Sequence, residues 1–377
     1  MHSLPSSGSR LAAPMQALWW MALVLMVMPQ AWAAATAPDT TSRVSPQTRA
    51  LIDAASKAYA AGDTQGALQM LRPAGLAASR EAQYALGLML ESLPGATAAQ
   101  YAESANWYYR AALAGHTRAM NNLAALHHDG LGVPVTLSVA RLWYERAAKL
   151  GFAPSQYNLA LMHGRGIGMP RDDDRMLALL QQAATTGYAP AEAQLGLISL
   201  EGLAGQRADA AKAADWFGRA ARQGHAESQY RLGLLLRSGR GLPRDTVAAT
   251  TWLRAAADQD HPLAAWEAAR VLEEAYAGTL SGARVATSGE AAPQAMADDA
   301  QNLAASALAY YKASATAGHV PAMQRLLHLY QEGGLGQPPG PALASFWKLR
   351  LQMATRQVAP TATPNSSITS TSQRSAR

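Results

Sequence analysis

From about Thr48 onward the apolar positions recur with helical periodicity, and the helical stretches come in pairs. The clearest pair runs from Thr117 to Phe152. Its first stretch carries Ala119, Leu123 and Ala124, a glycine-rich turn follows at Gly130, Gly132 and Pro134, and a second stretch carries Ala140, Trp143, Tyr144, Ala147 and Ala148 before stopping at Gly151. Each stretch predicts an amphipathic helix, and the closing glycine predicts a left-handed helix terminus.

The pair repeats along the chain. Residues that end the second helix fall at Gly115, Gly151, Gly187, Gly224, Asp260 and Gly318, at intervals of 36, 36, 37, 36 and 58 residues. The excess in the last interval lies at 278–300, a Gly/Ala/Ser-rich segment that reads as a loop insertion. Ahead of the array, Thr48 to Ala61 and Thr64 to Leu71 form a further pair joined at Gly62-Asp63, with Asp63 or Thr64 as helix cap. This pair reads as a capping unit over 48–80. A unit of 36 residues is too small to bury its own apolar stripe, so each must stack on its neighbours.

Second helices share the phrases Asn106-Trp107-Tyr108-Tyr109-Arg110-Ala111-Ala112 and Leu142-Trp143-Tyr144-Glu145-Arg146-Ala147-Ala148. First helices share Ala85-Leu86-Gly87-Leu88 and Arg231-Leu232-Gly233-Leu234. With the glycine-containing turn between them, these phrases resemble the Sel-one-like repeat family, a branch of the tetratricopeptide superfamily. The resemblance covers seven units from about Glu81 to Leu351, within a repeat region of 81–354. It implies an all-α, right-handed α-solenoid of stacked antiparallel helix pairs serving as a scaffold for other proteins. One branch of the family is described as binding or hydrolysing β-lactams, but its repeats are stapled by cysteines, and this chain has none.

Composition agrees with an all-helical chain: 49% of residues are hydrophobic, only 7% are aromatic, and Ala and Leu dominate over the strand formers. The net charge of +6 is spread over singly placed Lys and Arg, without the clustering a nucleic-acid interface requires.

Residues 1–33 read as a secretory signal peptide, with Arg10 in the n-region, an apolar core from Leu18 to Met28, and Ala31-Trp32-Ala33 as a small-x-small cleavage site. That core is short of the roughly 20 residues a spanning helix needs. The expectation is therefore an exported protein, periplasmic or secreted, with no stable membrane anchor after cleavage. The lack of cysteine closes the lipoprotein route and excludes disulfides. Residues 34–47 read as a flexible N-terminus and 355–377 as a disordered Ser/Thr-rich tail.

Motifs with a chemical flavour dissolve into the repeat. Gly164-Arg165-Gly166-Ile167-Gly168 looks like a phosphate loop but follows a helix and recurs in phase at Gly130 and Gly239. His127 and His163 stand where the family has an aromatic, and are read as packing residues with one nitrogen hydrogen-bonded. His128 and Asp129 beside them make no zinc pattern, so no metal is assigned. Asp172 and Asp245 precede second helices and read as N-caps. His116, His225, His261 and His319 each follow a helix-ending residue, where imidazole can meet the last carbonyls of that helix. No catalytic constellation and no cofactor are assigned.

What remains is the inner face of the first helices. Aligned on the tetratricopeptide pattern it presents Tyr84, Arg118, Asn121, His128, Tyr157, Tyr230 and Arg237, with Asn122 among the residues that differ between copies. Tyr and Arg are types that dominate binding energy at interfaces. The expected function is a non-catalytic scaffold for a protein or peptide partner. The alternatives are an envelope polysaccharide- or peptidoglycan-associated factor, with the aromatics stacking on sugars, and, for the tyrosines, simple packing along the inner helix layer.

Overall fold

The computed structural model describes residues 44–286 and 294–358. The expected signal peptide, most of the expected N-terminal linker and the tail beyond Val358 lie outside the described residues. Sixteen helices make up the described chain, which divides into two compact units, Met1–Ser155 and Gln156–Arg377.

The first unit contains α1 (Pro46–Ala60), α2 (Thr64–Leu76), α3 (Arg80–Glu91), α4 (Ala98–Leu113), α5 (Thr117–Asp129) and α6 (Leu137–Lys149), and α7 (Ala153–Arg165) begins at its end. The second contains most of α7, then α8 (Asp173–Thr185), α9 (Ala189–Glu201), α10 (Ala210–Arg222), α11 (Ala226–Ser238), α12 (Thr246–Ala257), α13 (Pro262–Ala286), α14 (Gln294–Thr316), α15 (Val320–Glu332) and α16 (Pro341–Val358). The fold is an all-α solenoid of stacked helix pairs with a period of about 36 residues.

The period is written in the backbone. Gly115, Gly151, Gly187, Gly224 and Gly318 all have positive φ, and Asp260 takes the same left-handed conformation at +59° despite its Cβ. Ala78, at +63°, occupies the phase one period before Gly115, a member of the series that no glycine marks in the sequence. In three units the second helix opens on an aspartate, whereas Thr97 and Thr136 open α4 and α6. Asp172, Asp209 and Asp245 accept hydrogen bonds from the amides of Arg175, Lys212 and Ala248 at 2.8–2.9 Å, confirming the capping role for Asp172 and Asp245. Asp63 caps α2 in the same way through Gly66.

Packing within a pair depends on missing side chains. A Cβ on Gly87 would stand 2.6 Å from the ring of Tyr108, one on Gly196 would stand 2.7 Å from Phe217, and one on Gly233 would stand 2.7 Å from Leu253. The first helix thus gives up its side chain where the second inserts a large one. Trp107 and Trp143 are buried, and the arginine three residues on covers the ring: Arg110 lies 5.0 Å from the Trp107 centroid and Arg146 lies 4.7 Å from that of Trp143. The glycine-rich turn is a structural device as well. A Cβ on Gly132 would fall 2.3 Å from the Ala102 amide nitrogen, so the turn closes directly onto the start of α4.

One expectation is corrected. The segment 278–300 is not a loop where it is described: α13 continues to Ala286 and α14 already begins at Gln294, so residues 278–286 and 294–300 are helical. The extra length extends both helices of one pair, and Ala300 is buried within it. The Ala-rich composition that argues against a core in a loop suits a close helix-helix contact. The last helix similarly runs to Val358, past the expected tail boundary at 355.

Candidate functional site

The inner first-helix positions are built from a ladder of rings. Tyr84 on α3 stacks on His116 at the head of α5, with centroids 4.4 Å apart and planes 23° apart. In the second unit Tyr157 meets Tyr188 edge-on at 5.7 Å, Tyr230 stacks on His261 at 4.8 Å, and Trp266 packs on His319 at 5.3 Å. Each rung joins a first helix to the residue preceding the next first helix.

The histidines of this ladder correct a second expectation. In three of the four positions Nδ1 serves the helix that follows. The Nδ1 atoms of His116, His225 and His261 each accept a hydrogen bond from the amide three residues ahead, at Ala119, Ser228 and Ala264, with distances of 3.1–3.2 Å. Imidazole here does the work of an N-cap Ser or Asp. An Nδ1 that accepts cannot carry a proton, so the capping tautomer has hydrogen only on Nε2. In His261 that Nε2 donates to Glu227 Oε2 at 2.9 Å. His319 holds the cap position without a side-chain cap bond, and its Nδ1 is buried without a hydrogen bond. Burial depresses the pKa of His225 and of His319 below the ordinary imidazole value.

Polar chains bridge the pair at two places that the sequence does not announce. In the first unit Asn122 Nδ2 donates to the Tyr108 hydroxyl at 3.1 Å, and that hydroxyl donates to Glu91 Oε2 at 2.6 Å. Burial raises the Glu91 pKa. In the second unit the Tyr311 hydroxyl donates to Glu273 at 2.6 Å, and Arg325 from α15 pairs with the same carboxylate. Burial pushes Glu273 up, but the hydrogen bonds from Arg325 and Tyr311 outweigh it and leave the carboxyl below its usual range. The only signal for either network was a Glu and a Tyr at corresponding phases of distant units.

The predicted site residues fare unevenly. Tyr157 is only 7% exposed and its ring is occupied by Tyr188, so it is a packing residue and not a contact surface. Tyr84 is also buried, and Tyr230 is half-buried under His261 with its hydroxyl pKa pushed up to about 12, chiefly by burial. Asn121 accepts from Ser155 Oγ at 3.0 Å and Asn122 is held by Tyr108, so both amides serve inter-helix bonds. Arg118 is half-buried near Tyr84, whose pKa is raised by burial against the pull of that guanidinium. His128 is half-exposed, with Nδ1 2.6 Å from Asp129 Oδ1. Arg237 pairs with Glu267 and with Glu274, the latter at 2.6 Å, on the wall of an open hollow of about 580 Å³ lined also by Leu234, Ser238 and Arg244. The first unit therefore offers Arg118 and His128, and the second offers Arg237 with Arg244. His127, read as a packing residue with a bonded nitrogen, has a buried Nδ1 without a hydrogen-bond partner.

This combination of in-phase helix pairs, buried ring ladder and variable polar positions defines a helical-repeat scaffold. The Sel1 repeat model matches five successive segments, 80–116, 117–152, 153–188, 189–225 and 226–261, so the chain carries five Sel1 repeats. The pairs α13–α14 and α15–α16 continue the architecture beyond the matched segments. Among solved structures the chain is similar to a Sel1 repeat protein from Oxalobacter formigenes, at 24% identity over 72% of this chain and 98% of that one, with a TM-score of 0.56. It is also similar to a protective antigen of uropathogenic Escherichia coli that displays the same fold, at 24% identity over 78% of this chain and 64% of that one, with a TM-score of 0.51. The comparison with curated proteins gives no match. Sel1 repeat proteins are typically protein-interaction scaffolds and are generally non-catalytic.

Proposed function

We propose that this protein is an exported, non-catalytic scaffold that binds a protein or peptide partner through first-helix side chains. The observation that supports this reading is a division of labour. Residues that recur in phase are consumed by the stack, whereas Arg118, His128 and Arg237, which differ from their counterparts, keep part of their surface open. Guanidinium and imidazole groups at such positions suit carboxylates and backbone carbonyls of an extended or helical peptide. Export to a periplasmic or extracellular compartment rests on the signal-like residues 1–33.

The polysaccharide alternative loses its main support. Stacking on a sugar needs open aromatic faces, and the rings of Tyr84, Tyr157 and Tyr230 are covered by His116, Tyr188 and His261. Cross-linking and capture from the native envelope would provide the partner. Replacement of Arg118 and His128 by Ala together should then weaken binding at least tenfold while the melting curve holds. Unchanged affinity in that variant would remove the first unit from the interface, and the same test at Arg237 and Arg244 would decide the second.

A further inference from the structure

The terminal helix α16 carries four exposed apolar side chains on the face turned to solvent, where α4 carries two, Tyr109 and Leu113, and α12 is polar at three matching positions. Ala344 and Trp347 of α16 are buried at the phase of Ala249 and Trp252 in α12. In this register the exposed α12 residues Thr251, Arg254 and Asp258 correspond to Phe346, Leu349 and Met353. Those three side chains are 50%, 54% and 55% exposed, and Leu343, one turn earlier, is 47% exposed. Spacings of three, three and four residues place all four on one side of the helix. An outer stripe that is polar in an interior unit has become apolar.

The stripe is distinct from the open end of the array. In α12 the side chains that receive the next first helix are Leu253 and Ala257, which cluster with Ala268 and Val271 and with Ala264 and Ala265. Their counterparts in α16 are Lys348 and Gln352, both exposed. The stacking face is therefore closed by polar groups, and the apolar stripe serves something other than an eighth repeat.

Charge indicates what that is. The helix α16 contains Lys348, Arg350 and Arg356 and no acidic residue, and from Gly333 to Arg377 the sequence has five basic and no acidic side chains. Arg350 follows Phe346 by four residues and precedes Met353 by three, on the margin of the stripe. A second copy of so basic a helix would bring like charges together, and four half-exposed side chains offer on the order of 400 Å² per copy against the roughly 800 Å² per partner of a stable interface. Exposed Leu, Phe and Met beside Lys and Arg is the composition of a helix that lies in the headgroup region of a bilayer.

We propose that α16 docks this protein peripherally on an anionic lipid surface, with Leu343, Phe346, Leu349 and Met353 inserted at the headgroup boundary and Arg350 on a lipid phosphate. The test is sedimentation of the full chain with vesicles of phosphatidylglycerol and phosphatidylcholine in equal parts, or of phosphatidylcholine alone. Because Leu18 to Met28 is itself lipophilic, the comparison is with the Phe346→Gln/Leu349→Gln variant, which carries the same N-terminus. Wild type should bind the anionic vesicles at least tenfold more tightly than that variant, with the difference collapsing at 0.5 M salt or on neutral vesicles. Arg350→Gln should weaken the anionic preference with the stripe intact. Since Phe346 and Leu349 are exposed and Arg350 is half-exposed, both variants should melt close to wild type. Equal binding by wild type and the stripe variant would overturn the proposal. So would a concentration-dependent dimer that the stripe substitutions abolish in the absence of any lipid effect, which would give the stripe to a second copy.

Discussion

Gly87 faces Tyr108 so closely that the smallest possible side chain has no room: its Cβ would meet two ring carbons at 2.6 Å. Tyr108 is fixed from the far side by Glu91 and Asn122, so the ring cannot swing away without breaking two hydrogen bonds. Gly87→Ala should therefore cost about 1–3 kcal/mol through overpacking, even though Ala is the better helix former. Urea denaturation measures it, and a stabilised variant would show that the pair has slack.

The buried tryptophans carry the opposite liability. Trp143 is buried, with Arg146 over its face and Tyr109 edge-on at 6.0 Å. Trp143→Ala should cost about 3–5 kcal/mol by leaving a cavity. A midpoint within the error of wild type would mean the neighbouring helices close over the gap.

Stability should also depend on pH through the histidine caps. Burial lowers the His225 pKa in the folded state, so between that value and the ordinary imidazole pKa of about 6.5 the unfolded chain binds the extra proton. The contribution is fully present above pH 6.5 and is lost as the pH falls below it, because protonated Nδ1 can no longer accept from Ser228. His319 shifts in the same direction and adds to the slope. The melting temperature should drop between pH 7.5 and 5.5, and His225→Asn, which keeps a capping oxygen, should flatten the drop. An unchanged pH profile in that variant would remove His225 from the titration.

Asp260 offers a stabilising substitution. It holds the left-handed conformation that glycine supplies at the same phase in five other copies. Asp260→Gly should gain about 1 kcal/mol. Differential scanning calorimetry would detect the rise in melting temperature, and a decrease would assign the aspartate side chain a favourable contact.

Much of the fold was legible because the devices that make it are local and periodic. Gly115, Gly151 and Gly187 mark helix ends by conformational need, and Asp172 and Asp245 mark helix starts by capping, so spacing alone recovers the units. Ala78 escaped because alanine carries no such signature while adopting the same φ. The segment around 278–300 was misread for a related reason: Ala and Ser are as compatible with a tight helix pair as with a loop, and only the partner helix decides between them.

The inner face was harder to read, since phase says which way a residue points but not what meets it there. Tyr157 was a reasonable contact residue by type, yet its partner Tyr188 lies a full repeat step away and consumes the ring. The caps at His116, His225 and His261 show the same limit: phase flagged them as structural, but whether imidazole reaches backward or forward depends on backbone geometry that no side-chain pattern encodes.

Lys348 and Gln352 have a last implication, concerning how such a chain can lengthen. A unit duplicated between interior pairs would find Leu253-like and Ala257-like surfaces on both sides and could be accommodated, whereas a unit appended after α16 would meet an ammonium and an amide. An added unit is thus easier to accommodate between interior pairs than after α16.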